Sequence, residues 1–371
     1  MSRLRIGIIS ANWGVQTHLP AWRALGDEVE VTAICTSRRE TAEAAASATG
    51  IPRAFWDFRA LCADPDIDVV DCGTRPLLRQ QMVAAALAGG KHVVNQVPFA
   101  VSLDAAQEMA DAQRGAGKVG VVAASILGLP QLGQMKQMIE DGYLGEVFQV
   151  NCQWNISLFN PPVPGFAWPW FSDPAEGVGV TRNQGSHMLH ALLHLFGPID
   201  AVTGQMETFV KEWSADSGEV VRPRTDDTMN GLVRFRSGAL GQVSTSWVAT
   251  DSPGFVIEAF GRDGYLRLSS SNYPSATGTT LIGAKTNPYV RPTAQPIPLP
   301  DAWLDVAGRR LAAEPGSQVV SMARLYAGMV EAVRSGAEPL GSFTRAVEVQ
   351  RIVEAFYAAS ATRQWVEIDR Q

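Results

Sequence analysis

The chain has 371 residues, more than one ordinary hydrophobic core accommodates, so we predict two domains. Hydrophobic residues make up 46% of it and charged residues only 18%, which is typical of a well-buried soluble protein. The net charge of −6 argues against a general nucleic-acid partner, because no basic stripe offsets it.

Cysteine spacing and hydropathy indicate the compartment. The four cysteines lie far apart without a C-x-x-C pair, which argues against a zinc site or a disulfide framework and fits a reducing cytoplasm. The N-terminus enters a predicted strand at once, leaving no room for a signal peptide. No apolar run approaches the roughly 18–20 residues of a membrane helix. We expect a soluble, cytoplasmic protein without a membrane partner.

Residues 1–125 alternate short apolar runs with segments of helical period. The runs predict buried strands at Ile6–Ile9, Val29–Cys35, Val69–Cys72, His92–Val94 and Val119–Ala123. Helices are predicted at Thr17–Leu25, Arg39–Ser47, Leu77–Ala88 and Leu103–Gly115. This alternation predicts an α/β domain of the Rossmann type, a doubly wound parallel sheet with helices on both faces.

Residues 126–371 predict an α+β domain with a large open mixed or antiparallel sheet. Its strands are predicted at Val147–Trp154, Ala201–Phe209, Met229–Phe235, Leu240–Trp247, Phe255–Phe260, Tyr265–Leu268 and Trp365–Ile368. Its helices are predicted at His187–Phe196, Val319–Ser335 and Thr344–Ala361, the last packing back on the first domain. Residues 270–317 are rich in Pro, Ser, Thr and Gly and predict long surface connections.

The turn after the first strand is a degenerate dinucleotide fingerprint. In G-x-G-x-x-G the glycines make the turn, admit the pyrophosphate and allow close helix packing. Here Ser10, Asn12 and Val15 take the three places, and Gly14 comes one residue early. Asn tolerates positive φ, so Asn12 can preserve the turn, although its side chain fills space. Trp13 can line or obstruct the cleft.

The second strand ends in Thr36, Ser37, Arg38 and Arg39, where an acidic residue would hold a ribose 2′-hydroxyl. Ser, Thr and Arg suit a 2′-phosphate instead. If a cofactor binds, this favours NADP over NAD. The alternative is that the two arginines merely open a solvated helix.

Two further strand ends offer ligand contacts. Thr74 and Arg75 follow the Val69–Cys72 strand, where open α/β sheets bind ligands. Asn95 and Gln96 precede Pro98, whose X-Pro bond can be cis, so that the loop presents amides to a ligand. Arg75, like Arg182 further along, is either an anion contact or a surface ion-pair residue.

In order and spacing these motifs resemble the glucose-fructose oxidoreductase/inositol dehydrogenase (Gfo/Idh/MocA) family over essentially the whole chain. The matching landmarks are I-G-I-I-S-A-N-W-G-V-Q-T-H-L-P-A, T-A-I-C-T-S-R-R-E-T-A, D-V-V-D-C-G-T-R-P, K-H-V-V-N-Q-V-P-F-A, D-G-Y-L-G-E-V and G-V-G-V-T-R-N-Q-G-S-H-M-L-H. The resemblance implies NAD(P)-dependent oxidation or reduction of sugars, polyols or related cyclic alcohols. It also implies a homodimer or homotetramer built through the open sheet of the C-terminal domain.

The resemblance transfers catalytic residues unevenly. The family's Glu-Lys-Pro corresponds to Gln96-Val97-Pro98, and Val97 cannot carry charge or move a proton. Asn183 takes the place of the family's Asp, whereas its His remains as His187. The i, i+4 spacing predicts that both face one pocket. His190 stands at a later acidic position.

His187 is therefore the best remaining acid/base, since an imidazole can give or take a proton near neutral pH. Alternatively, the histidines of H-M-L-H-A-L-L-H are simply satisfied near a core or interface, which we favour for His190 and His194. No nearby acidic or Cys partner supports a metal site.

The segment Phe166–Phe171, F-A-W-P-W-F, is a candidate surface for stacking on a ring-shaped substrate, with Trp168 and Trp170 as contacts. An interface or core plug is the alternative reading.

Three functions stay open at this point. The first is an NAD(P)-dependent oxidoreductase acting on a hydroxyl or carbonyl of a cyclic or aromatic small molecule, with His187 as acid/base. The second is a non-redox lyase, dehydratase or isomerase, favoured by the loss of the lysine. The third is a catalytically inactive ligand-binding protein. The fold alone does not decide between these three functions.

Overall fold

A computed structural model describes residues 3–165, 168–314 and 316–369. The chain forms two compact units. The first comprises Met1–Gly128, Leu304–Ala313 and Gln318–Val347. The second comprises Leu129–Trp303, Glu314–Ser317 and Glu348–Gln371. The first unit's initial segment ends at Gly128, close to the predicted boundary at residue 125. The segments after residue 303 alternate between the two units, and no change in composition marks these later boundaries.

The first unit contains a six-stranded parallel sheet in the order β3-β2-β1-β4-β5-β6. Its strands are β1 (Leu4–Ile9), β2 (Val29–Cys35), β3 (Arg53–Phe55), β4 (Val69–Cys72), β5 (His92–Asn95) and β6 (Gly120–Val122). The central strands are nearly continuous buried apolar runs, as a sheet covered on both faces requires. The predicted Rossmann-type architecture is confirmed.

The helices of the first unit lie between these strands. They are α1 (Leu19–Ala24), α2 (Arg39–Thr49), α3 (Phe58–Ala63), α4 (Pro76–Ala88) and α5 (Leu103–Ala116). The sequence analysis missed β3 and α3, since three and six residues are too few to show a period. A later helix, α8 (Val319–Ser335), also belongs to this unit, where Tyr326 stacks on Trp22 of α1 at 4.0 Å between ring centroids.

The second unit is built on a nine-stranded sheet in the order β16-β15-β14-β13-β7-β12-β11-β8-β19. Its strands are β7 (Val147–Asn155), β8 (Ile199–Glu207), β11 (Thr228–Phe235), β12 (Leu240–Ser246), β13 (Gly254–Gly261), β14 (Gly264–Ser270), β15 (Thr279–Lys285), β16 (Gln295–Pro296) and β19 (Val366–Glu367). Strands β7 and β12 pair in parallel, whereas the other neighbours are antiparallel. The predicted mixed sheet is confirmed.

One face of this sheet is buried and the other carries exposed and half-buried side chains. In β7 the side chains of Val150, Cys152 and Trp154 are buried, whereas Gln149 and Asn151 point to the opposite face. Helices α6 (Pro130–Glu140) and α7 (Ser186–Phe196) contact the sheet, α7 at β7 and α6 at β14 and β15. This alternation follows from the two-residue period of a strand with one covered face.

The remaining elements are short, apart from the last helix. Two ribbons pair β9 (Trp213–Ser214) with β10 (Val220–Val221) and β17 (Asp305–Val306) with β18 (Arg309–Arg310). Helix α9 (Phe343–Thr362) has its first turn in the first unit and the rest in the second.

The expectation that residues 270–317 form only surface connections is wrong. Strand β15 lies within this range, pairs with β14 and buries Leu281. Its T-T-L-I-G-A-K alternation is short, and the flanking Pro, Ser and Gly residues hide it. No helix in the described part of the chain is both long and apolar enough to cross a membrane.

Candidate functional site

The carboxyl ends of β1 and β4 meet at the centre of the first unit's sheet, where the strand order reverses direction. Such a switch point is where open α/β sheets bind ligands. After β1 the chain turns at Ser10, whose Oγ accepts the backbone N–H groups of Asn12 (3.3 Å) and Gly14 (3.4 Å). The Ser10 hydroxyl therefore holds the turn in which a fingerprint glycine would stand.

Gly14 provides the close packing expected of a fingerprint glycine. A Cβ at Gly14 would lie 2.9 Å from Ile8 Cγ2 and 3.0 Å from Ser10 Cβ, too close for any other residue. Gly73, just after β4, approaches the Gly14 backbone from the other side. The helix start thus packs tightly on β1 although the glycine comes one residue early.

The expectation that Asn12 preserves the turn through a positive φ is wrong, because Asn12 is not among the residues in that region. A π-helical turn over Gly14–His18 leads into α1 instead. Its hydrogen bonds close a wider loop than those of an α-helix, and the chain turns here without a residue of positive φ. Asn12 is exposed and Trp13 half-buried. Both stay available at the edge where the pyrophosphate is predicted.

At the end of β2, Ser37 and Arg38 are exposed. The Thr36 hydroxyl donates to Arg38 O (2.9 Å), which fixes the loop before α2. Arg39 pairs with Glu43 at 2.8 Å and lies over the Trp56 ring, so for Arg39 the solvated-helix alternative is favoured. For Arg38 the contact with a 2′-phosphate stays a prediction.

At the end of β4, the Thr74 hydroxyl contacts Met82 Sδ at 3.4 Å. Arg75 is the exposed N-cap residue of α4 and has an interaction partner of its own. Their role as cofactor contacts stays a prediction.

Gln96, in the Gln96–Pro98 loop, leads a chain of buried hydrogen bonds. Its Nε2 lies 2.8 Å from His18 Nε2, and His18 Nδ1 lies 2.8 Å from Asp71 Oδ1. Trp22 Nε1 donates to Asp71 Oδ2 at 2.7 Å, and the Tyr326 hydroxyl lies 2.9 Å from His18 Nδ1. His18 and Asp71 are both fully buried, whereas Gln96, at the end of this series of hydrogen bonds, is half-buried.

The hydrogen bonds indicate which ring nitrogen of His18 accepts and which donates. Gln96 Oε1 accepts the Val97 N–H at 2.8 Å, so the amide must turn its NH2 group toward His18. A donor facing Nε2 requires that nitrogen to be an acceptor, which places the ring proton on Nδ1, facing the Asp71 carboxylate. His18 Nδ1–H therefore faces Asp71, and Nε2 accepts from Gln96.

Below the same loop lies Arg79, which is fully buried. It donates to Asn95 Oδ1 (3.3 Å) and to the carbonyl of Pro98. Burial lowers the pKa of Arg79 to about 9. The Val97–Pro98 bond is cis, as the loop's sequence allowed.

Asn95 braces the loop. Its Nδ2 donates to Phe99 O (2.9 Å) and its Oδ1 accepts the Gln96 N–H (3.0 Å). With both ends of the fully buried amide used inside the first unit, the structure does not favour the predicted substrate contact at Asn95.

His187 lies in the first turn of α7 and is 5% exposed. Burial lowers its pKa to about 4, so the imidazole is neutral at pH 7. Its ring meets Trp154 edge-on at 5.9 Å and Tyr273 at 6.4 Å between centroids. Neither His187 Nδ1 nor Trp154 Nε1 has a hydrogen-bond partner in the described part of the chain. Unpaired buried polar atoms are costly, and here they belong to two rings that contact each other.

A π-helical turn over Thr181–Gly185 precedes α7, with Gly185 N donating to Val180 O at 3.0 Å. This wider turn alters the i, i+4 relation on which the shared pocket of Asn183 and His187 was predicted. Asn183 is half-buried, and within the described residues its side chain forms no hydrogen bond with His187. The joint role stays a prediction.

For Arg182 the ion-pair alternative is favoured. Its guanidinium donates to both carboxylate oxygens of Glu354, at 2.8 and 3.0 Å, and lies over the Tyr357 ring at 4.7 Å. A bidentate pair of this kind uses the donors that an anionic substrate would need.

The segment Phe166–Phe171 resembles a core plug more than an open stacking surface, although Phe166 and Ala167 lie outside the described residues. Trp168 and Trp170 stack on each other at 5.8 Å, and both contact the Phe171 ring. They pack on a buried cluster that includes Phe159, Trp213 and Trp247. Both tryptophans are half-buried, so a substrate could contact only the solvent-accessible part of each ring.

His190 and His194 each have an interaction partner, and their structural role stays a prediction. Residues 3–165, 168–314 and 316–369 contain no group of three or more His, Cys, Asp or Glu suited to a metal ion.

The sequence analysis missed Tyr273 and Trp154 beside His187, and the partners of His18. The one available signal was Asp71, a charged residue in the apolar strand V-V-D-C, since a buried carboxylate needs partners. Those partners, Trp22 and Tyr326, lie about 50 and 250 residues away along the chain, a separation that spacing rules cannot bridge.

Comparison with known proteins gives the relationship. The family model described as "Oxidoreductase family, NAD-binding Rossmann fold" matches residues 4–124, and the one described as "GFO/IDH/MocA C-terminal domain" matches residues 132–267. D-apiose dehydrogenase of Paraburkholderia graminis is 26% identical over 99% of this chain and 90% of its own. Levoglucosan dehydrogenase of Pseudarthrobacter phenanthrenivorans is 25% identical over 66% of this chain and 68% of its own.

Among solved structures, an NAD binding oxidoreductase from Klebsiella pneumoniae superposes with a TM-score of 0.88 at 26% identity, covering all of both chains. The two family models match residues in both units. The chain belongs to the Gfo/Idh/MocA family of oxidoreductases.

Proposed function

We propose that the protein is an NADP-dependent oxidoreductase acting on a hydroxyl or carbonyl of a sugar-like cyclic molecule, with His187 exchanging the proton. The observation that carries this proposal is the neutral, buried imidazole of His187, which lacks a hydrogen-bond partner beside an equally unpaired Trp154 Nε1. A substrate hydroxyl can accept from the indole and donate to the imidazole, which satisfies both.

The first unit fits a dinucleotide at its switch point. Ser10, Asn12, Trp13 and Gly14 would face the pyrophosphate, and the close packing at Gly14 and Gly73 allows backbone to approach it. Thr74, Arg75, Gln96 and Pro98 would flank the nicotinamide half. The cofactor, when bound, accepts or supplies the hydride.

The preference for NADP over NAD rests on the end of β2. No carboxylate stands at Thr36–Arg39, and exposed Ser37 and Arg38 can hydrogen-bond a 2′-phosphate. One charge-assisted contact to a phosphate contributes about 1.5–3 kcal/mol, so NADPH should bind roughly ten- to a hundredfold more tightly than NADH.

Titration of the purified protein with NADPH and NADH, followed by nucleotide fluorescence, tests this directly. Arg38→Ala should remove the preference, whereas the matched variant Arg39→Ala, which loses the pair with Glu43 and the contact with the Trp56 ring, should keep it. Equal affinity for the two nucleotides would refute the NADP preference. No binding of either at about millimolar concentration would refute the redox function itself.

The substrate class is inferred from the relatives and from the site. Two of the relatives are named as dehydrogenases of D-apiose and of levoglucosan, both sugars. Aromatic side chains beside His187 suit the apolar face of a sugar ring, and the unpaired nitrogens suit its hydroxyls. A panel of pentoses, hexoses and anhydro sugars, read by nicotinamide absorbance, would identify the substrate.

A non-redox reaction is the second candidate, and the Gln96–Pro98 loop favours it. Val97 cannot serve as an acid or base, and both ends of the Gln96 side chain are used, by His18 and by Val97 N–H. The loop thus offers no side-chain proton donor or acceptor to a substrate. A lyase, dehydratase or isomerase would consume substrate without net change in nicotinamide.

We also propose that the protein forms a homodimer or homotetramer through the outer face of the nine-stranded sheet. Leu232 of β11 and Leu240 of β12 point to this face and are 47% and 57% exposed. Exposed large apolar side chains on one flat face favour an interface. Light scattering should show an oligomer that Leu232→Lys weakens, and a monomeric wild type would refute the proposal.

A further inference from the structure

A small cavity in the second unit is lined by the aromatic side chains of Phe159, Phe171, Trp213 and Trp247. The rings contact one another, with centroids 5.1 Å apart for Phe159 and Trp213 and 5.5 Å for Phe171 and Trp247. The free space suffices for one particle the size of a water molecule. No role in the proposed reaction accounts for this cavity.

A carboxylate also lines the cavity, and half of it is unpaired. Asp227 is 6% exposed, and its Oδ2 accepts the backbone N–H groups of Phe209 and Val210, both at 2.8 Å. Its Oδ1 is buried and has no hydrogen-bond partner in the described part of the chain. An uncompensated charge of this kind is rarely left in a protein interior.

The neighbouring carboxylate differs. Asp226 Oδ2 accepts both the N–H (2.8 Å) and the hydroxyl (2.6 Å) of Thr181, and its Oδ1 accepts the Tyr357 hydroxyl at 2.6 Å. The Thr225 hydroxyl, also at the cavity, already donates to Phe171 O at 2.7 Å. Asp227 Oδ1 is thus the single unfilled acceptor in an otherwise satisfied cluster of described residues.

We propose that this cavity binds an ammonium ion. The ion has the size of the space, can donate a hydrogen bond to Asp227 Oδ1, and is attracted to the surrounding aromatic rings by cation–π interaction. Potassium and sodium ions instead need several oxygen ligands, whereas the side-chain oxygens of Thr225 and Asp226 at the cavity already take part in hydrogen bonds. A water molecule would fill the acceptor but leave the charge uncompensated.

Thermal unfolding of the full-length protein in ammonium, potassium and sodium chloride at equal concentration, about 0.2 M, tests the proposal. Ammonium should raise the melting temperature of the wild type by about 2–4 °C over sodium, through binding to the folded state alone. Asp227→Asn should abolish this difference, because the Asn carbonyl still accepts from Phe209 and Val210 while its NH2 group replaces Oδ1.

Phe159→Leu is the second variant, which keeps an apolar wall but removes a π face, and it should at least halve the ammonium response. It decides the matter if Asp227→Asn fails to fold. An equal response of wild type and variants would mean that the cavity holds water only. An equal effect of potassium would overturn the assignment to ammonium. Neither outcome bears on nucleotide binding, so this site and the proposed function fail independently.

Discussion

The buried polar groups around His18 and those around His187 contrast in how completely they are hydrogen-bonded. His18 lies between Gln96 and Asp71, and Trp22 completes the carboxylate's partners. The ring of His187 meets the rings of Trp154 and Tyr273 edge-on, and within the described residues its Nδ1 has no hydrogen-bond partner. A satisfied network rigidifies a domain, whereas an unsatisfied one is where a ligand is expected. The contrast supports the proposal that His18 is structural and that His187 takes part in the reaction.

The largest expected effect is on turnover. His187→Gln keeps the size and hydrogen-bonding capacity of the side chain but removes proton transfer, so kcat should fall about 10²- to 10⁴-fold. Steady-state kinetics with NADP would measure it. His194→Gln, on the same helix two turns later, is the matched control and should stay within about twofold. A fully active His187→Gln variant would remove the acid/base role.

The next effect is on stability at acid pH. Burial lowers the pKa of His187 to about 4, and burial followed by Lys118 lowers that of His92 to about 4. Between pH 6.5 and 4 the unfolded chain binds more protons than the folded one, so stability falls as the pH falls through this window. Above pH 6.5 neither group contributes a slope.

Urea unfolding at several pH values measures this slope. Between pH 6.5 and 4 the wild type should lose free energy of unfolding, and His187 should account for up to about 3 kcal/mol of that loss. His187→Gln should remove this contribution. An unchanged slope in the variant would show that His187 titrates normally in the folded state.

A smaller effect is expected at the satisfied network. Asp71→Asn replaces one acceptor oxygen by a donor that must face either Trp22 Nε1–H or the His18 Nδ1–H. This mismatch should lower the free energy of unfolding by about 2–3 kcal/mol. Asp66→Asn, at an exposed pair with Arg5, should cost below about 1 kcal/mol. Equal losses in urea unfolding would contradict a structural role for the network.

The smallest change sharpens the tautomer assignment. Gln96→Glu places a carboxylate at His18 Nε2, which should hold His18 as imidazolium between two carboxylates. The ¹⁵N shifts of the ring should show both nitrogens protonated in the variant at pH 7, and only Nδ1 in the wild type. Two protonated nitrogens in the wild type would overturn the assignment.

The sequence predicted the fold well and the site less completely. The β2 strand and helix α8 match their predicted bounds, since apolar runs and helical periods are local signals. The β15 strand and the partners of His18 escaped because strand pairing and hydrogen bonding across the chain are not local. At Gly14 and at Asn183, π-helical turns changed geometry that fixed spacings had assumed. The residues named for cofactor and substrate stay predictions until a ligand is bound.

The stoichiometry of turnover tests the central claim most directly. With NADPH and the carbonyl form of an accepted sugar, the absorbance at 340 nm and the amount of product should be followed together. The account predicts one NADPH oxidised for each molecule of alcohol formed. Substrate consumed without net loss of NADPH would contradict it and identify a non-redox reaction on this scaffold.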